Sequence, residues 1–172
     1  MSCRCLFSCV LAVVIALPAF ADEVLGKPTT LQDKLSYCYG VQVGDALKGA
    51  TIDLKIFENG LRAALKGSKA DLSTDQMEAL LAASAKAKRE SRDLVYQGYA
   101  REQLDTAAKE LSYAKGYKMG YNLKEQKLTV SIPFFMSAVQ AKLEGKELLL
   151  TSDEQFAAMN ENAAALRAAA NK

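Results

Sequence analysis

The chain has 172 residues, 50% of them hydrophobic, with 22 Lys and Arg against 20 Asp and Glu and no histidine. That balance is typical of a globular domain and excludes the one-sided basic excess with which nucleic-acid binders meet phosphates. The lack of histidine removes the commonest metal ligand and general base, and no carboxylate pair or Ser-Lys dyad takes its place, so neither a catalytic constellation nor a cofactor is expected.

At the N-terminus, Arg4 precedes an apolar run from Leu6 to Leu17, and Ala19-Phe20-Ala21 supplies an A-x-A cleavage motif. This is the layout of a secretory signal peptide, with an apolar stretch too short to span a bilayer comfortably. Cleavage after Ala21 is expected, leaving residues 22–172 exported and without an integral membrane segment. Lipidation at Cys9 is the alternative, opposed by the bulky Phe7 and by the apolar run continuing past the cysteine. Cys3, Cys5 and Cys9 depart with the signal peptide. Cys38 then remains as a single thiol, either paired between two molecules or buried as a small residue on a helix.

Beyond a loose leader over 22–30, the abundance of Ala, Leu, Lys, Glu and Gln and the scarcity of proline predict an all-α fold. Thr30 with Asp33 caps a first helix, on which Tyr37, Gly40, Gly44 and Leu47 share one face. A mid-helix glycine costs about 1 kcal/mol relative to alanine. Two on one face imply that another backbone crosses closely there. Asp53 caps a second helix with the stripe Leu54, Phe57, Leu61 and Leu65 and a stop at Gly67, and Ser73 with Gln76 opens a third.

The same order then recurs. "LSYCYGVQVGDALK" (35–48) returns as "LSYAKGYKMGYNLK" (111–124), so Tyr113, Gly116, Gly120 and Leu123 repeat the first stripe at an offset of 76. Ile132, Phe135, Val139 and Leu143 repeat the second stripe at an offset of 78, with Pro133 in the first turn where its missing N–H is harmless. Gly145, Leu150 and the pair Thr151/Glu154 then match Gly67, Leu72 and Ser73/Gln76. This is an internal duplication. No proline interrupts Thr74 to Asn122, which predicts that the third helix runs unbroken into the first helix of the second copy, roughly 70 Å end to end.

The phrases "DKLSYCYGVQVGDALKG", "IDLKIFENGLRAALKG" and "LSTDQMEALL" resemble the helical N-terminal module of exported FKBP-type peptidyl-prolyl isomerases, the group that includes the macrophage infectivity potentiator and its periplasmic relatives. The resemblance is tighter in the first copy than in the second, where Ala138 stands at the position of Gly60. It implies a periplasmic location in a bacterial envelope. It also implies a homodimerisation device in which two modules intertwine their first two helices and each third helix forms a stalk. The expected fold is two three-helix modules, 22–105 and 106–172, sharing the long connecting helix and intertwined within one chain or between two. Few residues follow Leu150, whereas a catalytic FKBP domain needs about 100, so isomerase chemistry is not expected.

On this reading Tyr37, Gly40, Gly44, Leu47, Tyr113, Gly116, Gly120 and Leu123 form helix crossings that serve dimerisation. Tyr96, Tyr99, Tyr117, Tyr121 and Phe134 are candidates for a cradle that holds unfolded polypeptide, or they pack where helices cross. The function expected is an exported assembly or chaperone-type binding module for folding polypeptides. The alternative is an adaptor that pairs with the matching module of a full-length FKBP-type isomerase.

Overall fold

A computed structural model describes residues 25–90 and 101–170. Among them there are only helices: α1 (Leu31–Leu47), α2 (Leu54–Lys66), α3 (Thr74–Arg89), α4 (Arg101–Glu125), α5 (Ile132–Glu144) and α6 (Ser152–Ala170). The expected signal peptide lies outside the described residues.

Local chemistry sets the ends of these helices. The Thr30 hydroxyl accepts the N–H of Asp33 at 3.1 Å, and an Asp53 carboxylate oxygen accepts that of Ile56 at 3.0 Å. These contacts satisfy N–H groups that the first turn leaves without partners. Ser73 and Gln76 form a reciprocal capping box, and Thr151 with Glu154 forms its counterpart at α6. α2 and α5 stop at Gly67 and Gly145, whose φ of +72° and +67° lie in the left-handed region that glycine enters without a Cβ penalty.

The helices do not pack by sequence repeat. α1 packs on α5 and α6, whereas α4 packs on α2 and α3. Each three-helix lobe therefore joins the first helix of one copy to the second and third helices of the other. Such an exchange resembles a domain swap carried out inside one chain. The lobes meet in a core of Val43, Leu47, Phe57, Leu61, Leu123, Phe135 and Val139, to which both copies contribute. Burying each large apolar side chain here contributes about 2 kcal/mol, and neither copy alone supplies the whole set.

The unbroken rod expected between the copies is not what the described helices form. α3 ends at Arg89 and lies against α4. Two segments of one straight helix, separated by the interval from Arg89 to Arg101, would stand about 18 Å apart and never touch, so α3 and α4 are not collinear. The sequence contains no breaker to announce this. The gain from packing α3 on its lobe, where Ala87 is buried, decides it.

Candidate functional site

The glycines lie where the copies cross. A Cβ built on Gly116 would overlap the carbonyl of Phe57, and one on Gly120 would come within 2.5 Å of the Leu61 carbonyl and 2.9 Å of the Ala64 methyl. On the other lobe, Gly40 faces the Phe135 carbonyl and the Ala138 methyl, and Gly44 faces Val139 and Lys142. The α2·α4 crossing uses small residues on both sides, because Gly60 in turn faces the backbone of Tyr113 and Tyr117. At α1·α5 the place of Gly60 is taken by Ala138, fully buried against Gly40. One methyl is accommodated there because its partner has none. The flanking Tyr37, Leu47, Tyr113 and Leu123 are buried as well.

Beside the glycines run paired hydrogen bonds from copy to copy, a role that sequence reasoning missed. The Ser36 hydroxyl donates to the Gln32 carbonyl at 2.7 Å and accepts the N–H of Ser131 at 2.8 Å. The Ser112 hydroxyl donates to the Ala108 carbonyl and accepts the N–H of Asp53 at 3.0 Å. One residue on, the Tyr37 hydroxyl accepts the Leu149 N–H at 2.8 Å, and the Tyr113 hydroxyl accepts that of Asp71 at 3.0 Å. Each first helix thus holds the start of the other copy's second helix with Ser and the approach to its third helix with Tyr. Burial raises both phenol pKa values above the ordinary 10.0, partly opposed by the donated backbone N–H bonds. The phenols therefore remain neutral acceptors. The repeated Ser-Tyr pair was the available signal, but its partners lie in the other copy.

Cys38 is buried and free, its thiol 3.9 Å from the Gln155 carbonyl of α6, with burial raising its pKa. Its counterpart in the other lobe is Ala114, also fully buried. The structure thus puts a small side chain at both positions.

The aromatic candidates are not gathered in one place. Tyr117 stacks on Tyr113 at 6.1 Å between centroids and donates to the Ser68 carbonyl at 3.4 Å. Phe134 is half-buried against the cluster around Tyr37 and Leu150, in the opposite lobe. Tyr121 is exposed, with the Lys118 ammonium 5.8 Å from its ring centre. Tyr96 and Tyr99 lie outside the described residues. Phe156 and Leu166 on α6, 70% and 61% exposed, are larger apolar projections that the stripes gave no reason to select.

Ion pairs add to the contacts between copies. Lys142 reaches Asp45 at 3.1 Å, and Lys27 pairs with Glu154 at the start of α6, holding that carboxyl down at about 2. Among the described residues no three metal-ligating side chains converge, and no described helix is long and apolar enough to cross a membrane.

Comparison with known proteins agrees with this geometry. The family model described as the domain amino terminal to FKBP-type peptidyl-prolyl isomerase matches twice, over residues 32–106 and 108–172. No curated protein and no solved structure matches the chain. The two matched segments fall on the two copies whose helices are exchanged between the lobes. The chain therefore belongs to the family of domains that stand amino terminal to FKBP-type peptidyl-prolyl isomerases, and it carries that domain in tandem.

Proposed function

We propose that the protein is an exported, folding-associated binding module in which the two copies clasp each other and the remaining surface holds non-native polypeptide without isomerase chemistry. The observation that carries this is the occupancy of the glycine crossings. Gly40, Gly44, Gly116 and Gly120 each face backbone or side chains of the other copy in the same chain. A crossing already filled in this way offers no vacant groove to the module of a second protein, and that favours holding over the adaptor reading. Apolar side chains left in solvent on α6 and α4, namely Phe156, Leu166 and Tyr121, supply surface for weak contacts with unfolded chains.

The test is suppression of aggregation of a chemically denatured model protein by the purified chain, with ATP omitted. Suppression near stoichiometric ratio is expected. No effect at large excess, together with co-purification of an FKBP-type isomerase from an envelope extract, would replace this function with the adaptor. Export predicts a mature N-terminus at Asp22, read by mass spectrometry of the secreted product.

A further inference from the structure

The two lobes repeat one fold, so a chemical difference at matched positions reports what each surface meets. An open groove of about 390 Å³ runs beside α5, lined by Leu25, Tyr37, Pro133, Met136, Gln140 and Leu149 together with the charged Lys146 and Glu147. At an offset of 78, the other lobe has Lys55 for Pro133, Glu58 for Met136, Arg62 for Gln140 and Asp71 for Leu149. There Arg62 pairs with Glu58 at 2.6 Å and covers the surface with charge. The same hydrogen bonds to Ser and Tyr hold both lobes. Folding therefore does not require proline at the exposed Pro133 position, whereas Met136 and Leu149 also pack against the core.

The chain itself indicates the occupant. Leu25 to Thr29 form no helix, Leu25 helps to line the groove, Lys27 is tied to Glu154 and Pro28 is buried. Pro28 fixes its own φ and biases Lys27 toward an extended conformation. A short non-helical segment with an apolar side chain thus already lies along this lobe. We infer that the groove is the principal polypeptide-binding site of the chain, with the exposed side chains of α6 and α4 adding only weak contacts outside it. It accepts an extended apolar segment, and Leu25 acts as a tethered competitor. This assignment rests on the holding function proposed above and names its site.

A fluorescein-labelled peptide copying residues 23–30 is titrated by anisotropy against the purified chain and its variants. Leu25→Asp removes the competitor and is expected to tighten binding by about fivefold, less than a fully buried leucine would give because Leu25 is only partly buried. Pro133→Lys, an exposed position given the other lobe's residue, and separately Met136→Glu are each expected to weaken binding in the Leu25→Asp background by at least as much. Pro133→Lys should do so with helicity and Tm unchanged, which keeps the test valid if Met136→Glu disturbs folding. Equal binding by wild type and Leu25→Asp, or binding untouched by Pro133→Lys, overturns the assignment. Aggregation suppression that survives Pro133→Lys also overturns it while leaving the holding function standing. Peptide binding that obeys these variants in a chain that suppresses no aggregation supports the groove and counts against holding.

Discussion

The hydroxyl of Ser36 on α1 anchors the backbone N–H of Ser131 at the start of α5, 2.8 Å away and in the other copy. Ser112 and Asp53 repeat the relationship at 3.0 Å. Both serines are buried, so each replacement by alanine strands a backbone donor at the mouth of a helix. Ser36→Ala and Ser112→Ala are each expected to cost about 1–2 kcal/mol, read as a lower urea midpoint at unchanged m-value. If the two anchors are independent, the double variant should lose the sum. An unchanged midpoint for both would show that they carry no load.

Alanine ordinarily stabilises a helix relative to glycine by about 1 kcal/mol. Gly116→Ala should do the reverse, because its methyl would overlap the Phe57 carbonyl, and backbone cannot step aside as a side chain can. A loss of about 2–3 kcal/mol is expected from overpacking. Gly26→Ala, with nothing within 4 Å of the added methyl, is the control and should be near neutral. Thermal unfolding of the two variants beside the wild type makes the comparison.

The copies and their caps were legible in the sequence because their causes are local: glycine stops, Ser and Thr capping pairs, and an apolar stripe at helical spacing. Which helix meets which was not legible. The stripe on α2 reads the same whether its partner is α1 or α4, and the sequence left exchange within one chain or between two open. The long rod was expected because Thr74 to Asn122 shows no breaker. The packing of α3 on α4 overrides that local preference and is visible only in three dimensions. At the site, the glycines announced a close crossing, but the hydroxyl partners of Ser36 and Tyr37 are 95 and 112 residues away in sequence.

Acid should loosen α6 first at its N-terminus. Lys27 and the Thr151 cap lower the Glu154 pKa from 4.5 to about 2. A carboxyl held low in the folded state stabilises it fully above its unfolded value, and that contribution fades as pH falls from 4.5 through 2. The protection of the Thr151–Gln155 amides, taken relative to their intrinsic exchange rate at each pH, should therefore fall across that window. Glu154→Gln should flatten the dependence while slightly raising exchange at neutral pH.

Cys38 should behave as an inert thiol. Burial excludes reagents and raises its pKa, and both effects suppress thiolate attack. Labelling by a thiol-reactive disulfide reagent is expected to be slow in the native chain and complete within the mixing time in concentrated urea. Rapid native labelling, or a reducible dimer on a gel, would contradict the placement of this residue against α6.

The most direct test of the reciprocal clasp is the solution mass of the purified chain, measured by light scattering across a hundredfold range of concentration. Because α1 finds α5 and α4 finds α2 within one molecule, the expected result is the mass of a single chain at every concentration. A stable two-chain species that persists on dilution would mean that the copies exchange helices with a neighbour, and would contradict the intramolecular clasp.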